Sequence, residues 1–260
     1  MDLGLRGRAA FVAASSKGIG LAIAHAFAAE GADVAMCARN ATELSTAAES
    51  VRAHGTRVVA HAADLADASA VRSVVASAAA ELGRLDILLV NAGGPPPGVF
   101  EQLSDDAWSA AHDLTLMSAV RLVRESLPHL RASDSASIVF ISSYSVRQPI
   151  AGLTLSNSVR LGVSGLAKSL SFELAPHIRV NTILPGMIAT GRSIQLAAAR
   201  LTPGRTVEQV MAESAAAVPL GRYAHPDELA RAAVFVASPA ASYVNGATIP
   251  VDGGLIRATL

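Results

Sequence analysis

The feature that most restricts the fold is an alternation, kept up along nearly the whole chain, of short apolar runs with longer alanine-rich stretches of helical period. Residues 8–14 form one such run. Residues 18–30 follow, with Leu21, Ala24, Phe27 and Ala28 on one helical face and Gly31 as the stop. The next runs are 33–37, 57–62 and 87–90, separated by helical stretches over 43–54 and 68–82 that end at Gly55 and Gly83. A strand that is apolar on both sides must be covered on both sides, and strands joined through helices pair in parallel. The pattern therefore predicts a parallel sheet with helices on each face.

The second half continues it. A long helix is predicted over 104–130, with Ser104 as N-cap and Asp105 and Asp106 in the first turn, where carboxylates favour the helix dipole. Strands are predicted at 138–141, 179–184 and 247–251, and helices at 156–174 and 226–237. Residues 187–218 are the least sheet-like part, broken by Pro203-Gly204. Since no Pro/Gly/Ser-rich linker and no internal repeat divides the chain, residues 1–260 read as one α/β domain, a Rossmann-type doubly wound parallel sheet.

Composition narrows the partners. Twenty-one basic residues balance twenty-one acidic ones, so charge gives no reason to expect nucleic acid or an anionic membrane. No window approaches the ~20 uninterrupted apolar residues of a membrane span, and no basic leader with a long apolar core begins the chain. A cytoplasmic protein acting on a small molecule is expected. The lone Cys37 allows no intrachain disulfide and is expected as a buried thiol. His112 is expected to be structural or exposed, and no His/Cys/carboxylate cluster has metal-ligand spacing, so no metal is expected.

The first strand runs into Ala13-Ala14-Ser15-Ser16-Lys17-Gly18-Ile19-Gly20 and then a helix. Glycines at such a junction let backbone N–H groups approach a pyrophosphate, which the helix N-terminus stabilises. An NAD site offers a carboxylate to the adenosine ribose at the end of the second strand. Here that strand ends Met36-Cys37-Ala38-Arg39, so Arg39 and Lys17 are expected to bracket a 2′-phosphate, favouring NADP(H) over NAD(H).

The order of these pieces resembles the short-chain dehydrogenase/reductase family over essentially the whole chain, and 3-oxoacyl-acyl-carrier-protein reductases in particular. Gly18 and Gly20 match the family's cofactor loop, whose first two positions are Ala13 and Ala14 here. Asp64-Leu65 matches the adenine contact, and Asn91-Ala92-Gly93 the segment that steadies the sheet. Pro185-Gly186 with Ile188 and Thr190 matches the loop that holds the nicotinamide carboxamide. Asp252-Gly253-Gly254 matches a segment that supports oligomer contacts in relatives. The resemblance implies a mobile lid at about 187–218 and a homo-oligomer, a tetramer through the long helices and the last strand, or a dimer.

It also implies a catalytic Asn, Ser, Tyr and Lys. In the family Tyr gives the carbonyl a proton, Lys lowers the Tyr pKa and holds the ribose, Ser bonds the substrate oxygen, and Asn keeps a relay water. Aligning on Ile141-Ser142-Ser143 puts the serine at Ser143; the Tyr and Lys positions are then Ser156 and Arg160, and the Asn position is Thr115. Tyr-x-x-x-Lys occurs nowhere in the chain. A serine hydroxyl is a weaker and shorter acid than a phenol, and a guanidinium does not deprotonate at working pH, although Arg160 is still expected to bind the cofactor by donating to the nicotinamide ribose. Tyr144, beside Ser143, is a substitute donor if its loop turns it inward. Hydride transfer with NADP(H) to a small carbonyl, imine or activated alkene that needs little acid help is therefore expected. Non-redox elimination or aldol chemistry, or a catalytically inactive cofactor-binding subunit, are the alternatives. Arg147, Arg192, Arg200 and Arg205 lie in or near the substrate loops and are candidates to meet a carboxylate or phosphate.

Overall fold

A computed structural model describes residues 1–258. Seven strands form one parallel sheet: β1 (Ala9–Ala13), β2 (Asp33–Ala38), β3 (Val58–Ala62), β4 (Ile87–Val90), β5 (Ala136–Ile141), β6 (Ile178–Pro185) and β7 (Thr248–Val251). Their order across the sheet is β3-β2-β1-β4-β5-β6-β7. The winding direction thus reverses between β1 and β4, the switch point outside which doubly wound sheets open a crevice.

Alternate residues of each strand serve opposite helical layers, as the period of two requires. Ala10 and Val12 of β1, with Val34 and Met36 of β2, pack against α1 (Gly18–Ala29), α2 (Ala41–Arg52) and α9 (Pro226–Ala237). Phe11, Ala35 and Leu88 face α3 (Ala68–Leu82), α5 (Ser118–Leu130) and α6 (Thr154–Glu173) on the other side. Cys37 belongs to this second layer, fully buried, with its thiol pKa pushed up to about 12 by burial and by the charge of Asp64.

Most predicted elements appear within two residues of their expected limits, with one informative exception. The stretch 104–130 is not one regular helix. It runs as α4 (Asp105–His112), a π-helical segment Asp113–Met117, and α5. Ser104 caps α4 by accepting from Ala107 N–H, as expected. In the π segment the ladder is interrupted, and Ser118 Oγ donates to the Leu114 carbonyl at 2.5 Å. Hydroxyls that bond back into the preceding turn loosen and bend helices, and apolar periodicity does not register such a bulge.

Residues 187–218 carry two short helices, α7 (Gly191–Ala198) and α8 (Val207–Ala216), on the rim of the crevice. Asp252-Gly253-Gly254, expected at an oligomer contact, is built into the chain itself. The Asp252 carboxylate accepts from Gly254 and Ile256 N–H, and Asp252 presses on Gly186 so closely that a Cβ there would stand 2.5 Å from the Asp252 Cα. Gly186 is required by that contact, which seats the Pro185–Gly186 turn. Among the described residues no helix is long and apolar enough to cross a membrane.

Candidate active site

A cleft of about 1570 Å³ opens at the C-terminal ends of the strands. Each wall is the residue or two that follows a strand: Ala14 after β1, Arg39 after β2, Asp64 after β3, Asn91 after β4, Ser142 and Ser143 after β5, and Gly186 after β6.

The β1–α1 junction is shaped for a phosphate. The first turn of α1 has no side-chain cap and no acidic residue, so its free N–H groups meet the cleft with the positive end of the helix dipole. Ala14 stands at φ 51°, a left-handed conformation that costs a residue with a Cβ about 1–2 kcal/mol. Gly20 lies so close beneath it that a Cβ would meet the Ala14 carbonyl oxygen at 2.2 Å. Asn91 Nδ2 donates to the Ala13 carbonyl at 3.3 Å, tying β4 to this turn, and Thr190 packs on Gly18 from the opposite side. Ser16, Lys17, Ile19, Leu65, Ala92, Gly93, Pro185 and Ile188 complete the expected cofactor wall, and all line the cleft. These features fit a dinucleotide.

The 2′-phosphate end differs from the sequence expectation in one respect. Lys17 Nζ is not free but pairs with Glu43 at 3.0 Å, both side chains being exposed. An exposed pair of this kind is worth about 0–1 kcal/mol and exchanges readily for a phosphate. Arg39 is exposed and makes no ion pair among the described residues. Glu43 went unnoticed in the sequence because it reads as an ordinary first-turn acid of α2, capped by Asn40.

At the other end Ser143, Tyr144, Ser156 and Arg160 meet in the same cleft. Ser143 Oγ accepts from Ser145 N–H at 3.1 Å and starts a 3-10 turn, Tyr144–Val146. That turn brings Tyr144 inward. It packs on Val218 and Leu255, 9% exposed, and its phenol pKa is raised by burial and by neighbouring Tyr223, against a smaller opposing effect of Arg200. Ser156 is buried on the first turns of α6, and Arg160 stands one turn further on the same face. The Arg160 guanidinium donates to the carbonyls of Ser142 at 3.1 Å and Ile141 at 3.4 Å, and desolvation, then the charge of Arg192, lowers its pKa to about 10. It remains a cation at neutral pH.

Thr115 is not brought to this site. It sits 4% exposed inside the π segment and does not line the cleft, and its Oγ1 is buried without a hydrogen-bond partner. Its β-branched side chain is shorter than asparagine and stays within the packing, while the preceding Leu114 lines the cleft.

The remaining candidates separate cleanly. Arg192 and Arg200 line the cleft, whereas exposed Arg147 does not and Arg205 pairs with Glu213 away from it. Sequence reasoning missed Tyr223, which lines the cleft from the loop before α9. The signal was available: the chain has only three tyrosines, and two of them meet here. Asn157 was missed as well; its amide pairs with both the N–H and the carbonyl of Ile150 and fixes that cleft-lining loop to α6. Among the described residues no His/Cys/Asp/Glu group has the geometry of a metal site.

Comparison with known proteins matches residues 13–256 to a family model described as enoyl-(acyl carrier protein) reductase. The 3-oxoacyl-[acyl-carrier-protein] reductase FabG of Chlamydia pneumoniae is 31% identical over 256 residues, 98% of this chain and 99% of that protein. The crystal structure of L-sorbose reductase from Gluconobacter frateurii, complexed with NADPH and L-sorbose, superposes with a TM-score of 0.94 at 35% identity, covering 99% of this chain and 100% of that one. A short-chain oxidoreductase from Pseudomonas aeruginosa PAO1, described as containing an atypical catalytic center, is 36% identical with a TM-score of 0.90 and full coverage of both chains; an NADPH-bound form of it is also similar.

Proposed function

The chain belongs to the short-chain dehydrogenase/reductase family, and on that premise we propose that it is an oxidoreductase moving a hydride between NADP(H) and a small carbonyl, imine or activated alkene, without the family's tyrosine acid. One observation carries the reading. The phosphate-shaped β1–α1 junction and Arg39 open into the same cleft as Ser143, Ser156 and Arg160.

When bound, NADP(H) would supply the hydride chemistry, and this chain's residues would hold and orient it. The α1 N-terminus holds the diphosphate, and Lys17 and Arg39 hold the 2′-phosphate by charge-assisted hydrogen bonds, which is the ground for preferring NADP(H). The NADPH complexes of the Gluconobacter and Pseudomonas relatives support NADP(H) use. Ser143 Oγ and the Arg160 N–H groups not bound to Ile141 and Ser142 polarise the reacting bond. Tyr144, kept protonated by its raised pKa, holds the proton at Oη that a carbonyl substrate needs. Ser156 contributes a short hydroxyl where the family has a phenol. With no lysine beside the acid and Thr115 outside the cleft, the usual proton relay is missing, so a substrate that needs little acid assistance is favoured. Residues 187–218 act as the lid, and exposed Leu161 and Phe172 of α6 support self-association, as a tetramer or a dimer.

The test is an NADPH titration followed by a substrate screen with stereospecifically deuterated NADPH. Deuterium in a product establishes hydride transfer. Tight NADPH binding with no transfer to any acceptor class sinks the oxidoreductase reading in favour of a non-redox enzyme or a cofactor-binding subunit.

A further inference from the structure

Two guanidinium groups, Arg160 and Arg192, line the cleft, and among the described residues neither has a carboxylate partner. Arg160 bonds only the carbonyls of Ile141 and Ser142. Arg192, in the first turn of α7, reaches across to donate to the Pro95 carbonyl at 2.5 Å and to Gln195 Oε1 at 2.9 Å. Burial lowers the pKa of both, and the charge of Arg192 lowers that of Arg160 further. Arg200, exposed beyond the end of α7, adds a third cation to the lining.

Among the described residues, the only acids that line the cleft are Glu43 and Asp64, beside β2 and β3, and Glu43 is already paired with Lys17. Carbonyl and amide oxygens satisfy the N–H geometry of Arg160 and Arg192 but bring no net negative charge. The desolvation cost and the like-charge repulsion therefore persist. An anion that binds both groups would relieve both.

On the proposed reading, the negative charges of NADP(H) would be matched by the α1 N-terminus and by Lys17 with Arg39. Leu114, Ile150, Leu153 and Leu196 add apolar surface to the same cleft, alongside the hydroxyls of Ser143, Tyr144 and Ser156. We propose that the substrate carries a carboxylate, held by Arg192 from the lid helix and Arg160 from α6, on a short apolar body. The inference rests on the oxidoreductase reading. The same oxyanion chemistry also exists in the cofactor diphosphate, which the test must separate.

The experiment measures binding, not turnover. Pyruvate, 4-oxopentanoate and 2-oxohexanoate are titrated calorimetrically into the NADP⁺-loaded protein, each against its uncharged methyl ester. A charge-assisted bond to a desolvated guanidinium makes at least one acid about ten- to a hundred-fold tighter than its ester. Arg192→Gln brings that ratio to within about twofold, and Arg192→Lys retains part of it, while NADP⁺ affinity stays within about threefold of the parent. Equal affinity for acid and ester, or no binding of either, overturns the proposal. So does an Arg192→Gln protein that loses NADP⁺ affinity about tenfold with its acid preference intact, because the guanidinium then serves the cofactor. Failure to bind NADP⁺ or NADPH at all refutes the oxidoreductase reading itself, so the two failures are distinct.

Discussion

Gly20→Ala tests whether the β1–α1 junction is a phosphate cradle that depends on backbone contact. The added Cβ would stand 2.2 Å from the Ala14 carbonyl oxygen, 2.9 Å from its carbon and 3.0 Å from the Ser15 Cα. All three neighbours are backbone, and Ala14 already occupies a left-handed conformation, so none can swing aside. An ordinary carbon–oxygen contact requires the start of α1 to retreat by about 1 Å. Overpacking of this kind costs about 1–3 kcal/mol of stability, or a melting temperature lower by about 2–4 °C per kcal/mol. The same displacement stretches the N–H bonds to the diphosphate beyond hydrogen-bonding range. Two such bonds, at about 1.5–3 kcal/mol each to a charged acceptor, correspond to an NADPH affinity weakened at least about 100-fold. Gly165→Ala is the internal comparison, since its Cβ would meet nothing within 4 Å in the middle of α6. It should gain up to about 1 kcal/mol from helix propensity and leave NADPH binding as it is. Fluorescence titration of NADPH and thermal melts read both variants. A Gly20→Ala protein that binds NADPH within threefold of the parent refutes the cradle.

Three further outcomes are expected. Arg39→Ala should weaken NADPH about 10–100-fold, the value of one or more charged hydrogen bonds, and leave NADH unchanged; equal losses for both cofactors would place Arg39 away from the 2′-phosphate. Because the Tyr144 pKa is raised, its phenol stays protonated above the ordinary tyrosine range, and reduction should hold its rate through pH 9–10. Tyr144→Phe should lower kcat about 10²–10⁴-fold; an unchanged kcat in the variant takes Tyr144 out of the chemistry. Arg179 donates to the carbonyls of Val236, Ala237, Ser238 and Val244, closing the C-terminal end of α9. Arg179→Met should cost about 3 kcal/mol or more in urea denaturation, since four acceptors lose a charged donor, and a loss below 1 kcal/mol would show that water replaces it.

The parallel sheet was legible because its cause is local. Four- to eight-residue apolar runs separated by helical stretches leave a chain few ways to bury both faces of each strand, and the glycines at 31, 55 and 83 mark the turns, each with positive φ. The gathering of the candidate cofactor residues in one cleft was legible for a related reason. Residues that follow successive strands of a parallel sheet all gather at one edge, so sequence order alone predicts that Ala14, Arg39, Asp64, Asn91 and Gly186 come together. The pairing of Lys17 with Glu43 was not, because it depends on how α2 is angled at its capped start.

The chemical end shows the boundary between the two sources of information. That Ser156 and Arg160 stand on one helical face follows from a spacing of four, and that neither can do the work of a phenol–lysine pair follows from their chemistry. Whether Tyr144 turns inward, whether Thr115 reaches the cleft, and which of four arginines meets it depend on contacts between residues far apart in the chain. Tyr144 is fixed by packing on Val218 and Leu255, Thr115 is buried inside a π segment, and Arg192 is held over the cleft by the Pro95 carbonyl. Local periodicity encodes which elements form and the order in which they stack. The direction of a single side chain within a shared cleft is set by neighbours from other elements, and only the tertiary structure brings those neighbours together.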